Sequence, residues 1–119
     1  LNLEGVNSVN VPSAIVNITC PEGIKNLNVT IESTNQNFLA SAGELMPLSF
    51  DLAHPGEAGA GLASVGLPVE DQVIGKNDIE FNITKLVPLL GKFPGEHTFS
   101  LEVVDKKGDK SYLKLRFKA

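Results

Sequence analysis

A chain of 119 residues, 42% hydrophobic and 20% charged, has the composition of a single folded domain rather than a disordered tract. One Cys excludes an internal disulfide, and one Cys with two His excludes a closed four-ligand zinc site. The net charge of −4 argues against a dedicated nucleic-acid binder. No apolar run approaches the ~18 residues of a membrane-spanning helix.

Residues 1–12, LNLEGVNSVNVP, lack the basic start and apolar stretch of a signal peptide and read as a loosely ordered lead-in. Period-two alternation then recurs along the chain, which points apolar side chains to one sheet face and polar ones to the other. Ala14, Val16, Ile18 and Cys20 share a face, with Ile15 opposed to them. Cys20 reads as a half-buried strand residue and not as a lipid-bearing cysteine, because Asn17-Ile18-Thr19 before it looks like strand and not leader. Pro21-Glu22-Gly23 reads as a turn. Leu27, Val29 and Ile31 form the second run, and Leu48, Phe50 and Leu52 the third. The fourth is Ile79, Phe81 and Ile83; the fifth is Phe99, Leu101 and Val103; the sixth is Leu113, Leu115 and Phe117.

Each run buries one face only, as antiparallel sheets do, and no long amphipathic helix offers a second layer. Two stacked sheets are the economical solution. Asp105 to Asp109 suits a hairpin loop, with Asp to open it and Gly108 to take positive φ. Thr84–Leu90 reads as a short connecting helix capped by Thr84 and ended by Gly91, and residues 60–68 as another short turn. The segments Thr34–Met46 and His54–Lys76 are irregular by composition.

Charge is uneven. Residues 1–105 carry net −9 and residues 106–119 carry net +5. Lys110, Lys114, Arg116 and Lys118 share one face of the last strand. The plainer reading is a solvated face that protects an edge strand; the functional one is a contact for an anion or polysaccharide.

Chemistry-bearing residues are few. His97 is placed at the surface of a strand end and His54 in a turn, and no Gly-x-Ser-x-Gly elbow accompanies them, so no catalytic residue is assigned. Asp51, Glu57, Glu70, Asp71 and Asp78 gather around the irregular middle and could offer oxygen ligands to calcium, but without a loop spacing, and turn chemistry explains Asp105 better than ligation with Asp109. No metal or cofactor is assigned. The sequons at Asn17, Asn28 and Asn82 fall in or beside strands and read as chance. Carbohydrate recognition uses exposed rings, and only Phe38 and Tyr112 fall outside the core pattern.

Several stretches together resemble a known family: Pro47-Leu48-Ser49-Phe50-Asp51-Leu52-Ala53-His54-Pro55, Val65-Gly66-Leu67-Pro68, Val73-Ile74-Gly75-Lys76, Ile79 to Leu90, Gly95-Glu96-His97-Thr98-Phe99, and Val103-Val104-Asp105 with Gly108. From about Val11 to Phe117 the chain resembles an uncharacterised immunoglobulin-like domain of exported lipoproteins from gut anaerobic bacteria. The resemblance implies an extracytoplasmic, cell-surface setting and carries no catalytic residues. A lipid-anchor leader is missing, as it would be in a chain trimmed after the anchor.

The expected fold is one all-β, immunoglobulin-like antiparallel β-sandwich of about seven strands across residues 1–119, with a short connecting helix. The expected function is a non-catalytic module of a bacterial surface or secreted protein. It would act as a spacer or an adhesion unit against a neighbouring domain or another surface protein. The alternative is a carbohydrate-binding module that meets a glycan through loops 34–46 and 54–76.

Overall fold

The computed structural model describes residues 2–119; Leu1, part of the expected lead-in, lies outside them. Seven strands run in chain order: β1 (Val6–Ser8), β2 (Ile15–Thr19), β3 (Ile24–Ser33), β4 (Ser49–Asp51), β5 (Asp78–Asn82), β6 (Glu96–Asp105) and β7 (Lys110–Lys118). Helices α1 (Gln36–Leu45), α2 (Gly59–Ser64) and α3 (Val87–Leu90) lie between them. One sheet has the order β1-β7-β6-β3-β4 and the other pairs β2 with β5.

The alternating positions join the two sheets. Leu27, Val29 and Ile31 from β3, Phe99, Leu101 and Val103 from β6, and Leu115 and Phe117 from β7 are buried. They share one cluster with Val16 and Ile18 of β2 and Ile79 and Phe81 of β5. Phe99 and Phe117 meet edge-to-face at 6.2 Å across the β6–β7 pair. Burial of each such ring stabilises the fold by about 1.5–3 kcal/mol.

The ladders place the apolar faces in register. β3 and β6 pair antiparallel, with Leu27 opposite Val103, Val29 opposite Leu101 and Ile31 opposite Phe99. β6 and β7 pair antiparallel across the expected hairpin. In its loop Asp105 Oδ1 accepts from Lys107 N at 2.8 Å and Asp109 N at 2.9 Å, and Gly108 takes φ +90°. The carboxylate closes the turn, as the sequence predicts.

Four features correct the sequence reading. The expected lead-in contains β1, which pairs parallel to β7 with Val6 opposite Arg116 and Ser8 opposite Lys118, so the sheet is mixed rather than purely antiparallel. A three-residue strand carries too little alternation to be read from sequence. Asn7 completes the join: it is buried and donates Nδ2 to Arg116 O at 3.1 Å.

The segment 34–46 is not an irregular loop. Asn35 caps α1 by accepting from Asn37 N at 2.9 Å and Phe38 N at 3.1 Å. Phe38 and Ala42, one turn apart, face the core and are 2% exposed. Met46 is extended before Pro47, which stops the helix. Helices therefore contribute more than the single short connection expected.

That connection is also shorter than Thr84–Leu90. Leu86 is its N-cap and Pro88 sits in its first turn. Thr84 instead accepts from Ala14 N at 2.9 Å and so ties the start of β2 to the end of β5. Gly91 ends α3 at φ −64°, without the left-handed turn expected of a terminating glycine.

The third run yields only Ser49–Asp51 as strand. Asp51 is the reason. Leu52 N still donates to Leu27 O at 2.9 Å, but Leu27 N turns to the Asp51 carboxylate (3.0 Å), which also accepts from Ala53 N (2.9 Å) and Asn26 Nδ2 (2.6 Å), so only one bond of that next pair forms.

Candidate functional site

The free strand edges define the site. In an antiparallel ladder, pairs that exchange main-chain bonds alternate with pairs that do not. Gly95 and Ala119 exchange bonds of 3.1 and 2.9 Å at one end of the β6–β7 ladder, and Asp105 N donates to Asp109 O at 3.0 Å at the other. Between them Leu101–Leu113 and Val103–Ser111 are bonded pairs, while Glu102–Tyr112 and Ser100–Lys114 are not. The N–H and C=O of Lys110, Tyr112 and Lys114 therefore point away from β6. β1 pairs with Arg116–Lys118 only. Among the described residues, the Lys110–Lys114 edge has no strand beside it.

β2 presents a second edge that has no strand beside it among the described residues. Ile83 N donates to Ala14 O at 2.9 Å and Cys20 N to Asn77 O at 2.6 Å. The same alternation turns the N–H and C=O of Ile15, Asn17 and Thr19 away from β5.

A cleft of about 170 Å³ lies where the end of β2 meets the start of β7. Ile18, Val103 and Leu113 give it apolar walls, and Asp105, Asp109 and Tyr112 reach its rim. Tyr112 is 71% exposed, an unusual position for the chain's single tyrosine. Lys110, Lys114, Arg116 and Lys118 flank it on the solvent face of β7 and are all exposed. Lys107–Glu22, at 3.4 Å, is the one ion pair among the described residues. The basic column therefore forms no ion pair there, although Glu96 stands opposite Lys118 and Glu102 opposite Tyr112 in the β6–β7 register.

Cys20 forms part of the cleft wall. It is more enclosed than the half-buried position expected, at 6% exposure. Burial pushes its thiol above the usual range, and the Asp105 carboxylate adds to that shift. The protonated thiol is a weak nucleophile.

The other candidate residues are dispersed or structurally engaged. His97 is not a surface residue; it is fully buried. Its Nε2–H donates to Phe93 O at 2.8 Å, and its Nδ1 lies 2.7 Å from Ser33 Oγ. Ser33 Oγ also accepts from Asn35 N at 2.9 Å. The ring also packs on Phe38 at a centroid distance of 4.4 Å. His97 thus joins β6 to the cap of α1 and the approach to β6. Its period-two match to Phe99 and Leu101 was the signal for an inward position.

His54 is exposed in the bend after β4. Asp51 is held by the three donors described above, while Glu57, Glu70, Asp71 and Asp78 are exposed. No cluster of three or more metal-ligating side chains occurs among the described residues. Phe38 is buried and offers no platform, in contrast to the exposure expected of it. Asn17 is exposed on β2, whereas Asn28 donates to Glu102 at 3.1 Å and Asn82 accepts from Thr84 N at 3.0 Å.

No helix among the described residues is long and apolar enough to cross a membrane. No protein family, curated protein or solved structure matches the chain.

Proposed function

We propose that the chain is an immunoglobulin-like module of a bacterial exported or cell-surface protein, and that it works by contact, as an adhesion or spacer unit, rather than by catalysis. The strand order supports the fold assignment. If β2 to β7 are taken as B, C, C′, E, F and G, the sheets read A′-G-F-C-C′ and B-E, an immunoglobulin-type arrangement. There are departures: a single Cys precludes the inter-sheet disulfide, the C strand has no Trp, and short helical segments stand between β4 and β5. The bacterial surface setting rests on the resemblance given above.

The observation that carries the contact reading is the pair of uncovered edges around the Tyr112 cleft. Main-chain groups with no strand beside them, next to an apolar hollow, suit association with another chain. Both histidine positions support the same reading, because His97 is held in structural bonds and His54 stands apart in an exposed bend. Glycan binding through loops 34–46 and 54–76 finds less support. The first is largely α1 with its ring turned inward, and the second contains no aromatic residue.

Surface labelling in the encoding bacterium tests the setting. A membrane-impermeant amine reagent should label the lysines of this domain in intact cells. Labelling that appears only after lysis contradicts the surface assignment.

A further inference from the structure

We propose that the Lys110–Lys114 edge of β7 takes up an extended segment of a partner protein as an added strand, and that this segment alternates apolar and acidic residues. The proposal rests on the reading of the chain as a contact module and names the partner's chemistry.

The edge supplies the main-chain half of the interaction. The N–H and C=O of Lys110, Tyr112 and Lys114 point outward, and β1 already pairs with β7 beyond them, so an incoming strand would extend an existing line of pairing. The free stretch of five residues matches an ordinary strand length.

The side chains specify what enters. Tyr112 and the lysines of β7 occupy the solvent face, whereas Ser111 and Leu113 belong to the face that turns toward the cleft. Incoming residues beside Lys110 and Lys114 share the solvent face with those cations, and acidic side chains are favoured there. Those beside Ser111 and Leu113 turn toward Ile18 and Val103, where apolar side chains lose water. At the turn end the segment meets Asp105 and Asp109, which favour a basic residue.

Charge decides against the nearest competitor. Two copies paired through β7 would place Lys110 and Lys114 of both chains along one seam, where like charges oppose pairing. A polyanionic sugar would satisfy the lysines but leaves the outward N–H and C=O groups and the apolar cleft without a role.

A titration followed by amide NMR tests this on the intact chain. The probe is a short synthetic peptide of alternating valine and glutamate with one terminal lysine. The proposal expects saturable shifts confined to residues near 17–21 and 109–115. It also expects binding at least about tenfold weaker for a scrambled peptide of the same composition and for one with lysine in place of glutamate.

Tyr112→Pro is the diagnostic variant. The Tyr112 N–H faces away from β6, so proline there removes a donor from the incoming strand and none from the hairpin. It should weaken peptide binding about tenfold while the β6–β7 amide signals remain. Should the variant not fold, Lys114→Glu gives an independent reading: preference should shift from the glutamate peptide toward the lysine peptide. Equal affinity for the scrambled peptide, or affinity unchanged in Tyr112→Pro, overturns the proposal. So does an alginate oligosaccharide that binds wild type and Tyr112→Pro alike while the peptide does not bind, because the face is then a polysaccharide surface. The purified chain is used throughout, so failure here is distinguishable from failure of the surface assignment.

Discussion

Asn7 and Arg116, separated by 109 positions, are joined by a hydrogen bond from the Asn7 side-chain amide to the main-chain carbonyl of Arg116 at 3.1 Å. Asn7 also accepts from Asn2 N at 2.7 Å and donates to Asn2 O at 2.8 Å. One buried amide thus folds the chain start back on itself and fixes it to β7. Where that attachment stops, the open edge begins.

Asn7→Ala leaves Arg116 O and the Asn2 main chain without these partners. Denaturant unfolding should show a loss of about 1–3 kcal/mol. The amides of residues 6–8 should lose protection from exchange. An unchanged unfolding midpoint would mean that β1 is not held in this way.

His97→Ala removes a fully buried ring, takes one of its two partners from Ser33 Oγ and leaves Phe93 O without its ring donor. The expected cost is about 2–4 kcal/mol, from the cavity together with the lost bonds. A catalytic histidine at the surface would instead tolerate alanine with its unfolding curve intact.

Gly95 has φ +126°, and a Cβ there would stand 2.5 Å from Thr34 Oγ1. Thr34 Oγ1 in turn accepts from Glu96 N at 3.0 Å, so it cannot move without loss. Gly95→Ala should destabilise the fold by about 1–3 kcal/mol in thermal or denaturant unfolding. A neutral result would rule out this backbone conformation.

The thiol of Cys20 is held above its ordinary range, first by burial and then by Asp105. The unfolded chain therefore releases this proton at lower pH than the folded one. The stabilising contribution is complete below the unfolded thiol value and is lost as pH rises through the folded one. Wild type should lose stability relative to Cys20→Ala as pH climbs through the alkaline range. The native thiol should also react slowly with a disulfide reagent at neutral pH and quickly in denaturant. A pH-independent difference between the two proteins contradicts the shift.

The strands with full alternation were legible because their burial follows period two. Leu27, Val29 and Ile31 or Phe99, Leu101 and Val103 announce their face without tertiary information. The same rule placed His97 inward, but its polar type and strand-end position favoured the surface reading. α1 was obscured because Ser41 and Gly43 interrupt a short segment that shows no period-two alternation; the cap at Asn35, the Phe38–Ala42 spacing and the stop at Pro47 carried the signal. β1 was beyond reach, since a three-residue strand depends on its partner across the whole chain. The lysine column and Tyr112 were visible as residues. That they border an open edge was not, because which way each N–H points depends on a pairing register fixed only in the folded ladder.

Residue-resolved amide exchange along β7 in the free protein is the decisive measurement. The Tyr112 and Lys114 amides should exchange rapidly while those of Ser111, Leu113 and Leu115, bonded to β6, remain protected. Uniform protection from Ser111 to Leu115 would show that the edge is already covered and would remove the basis for strand uptake.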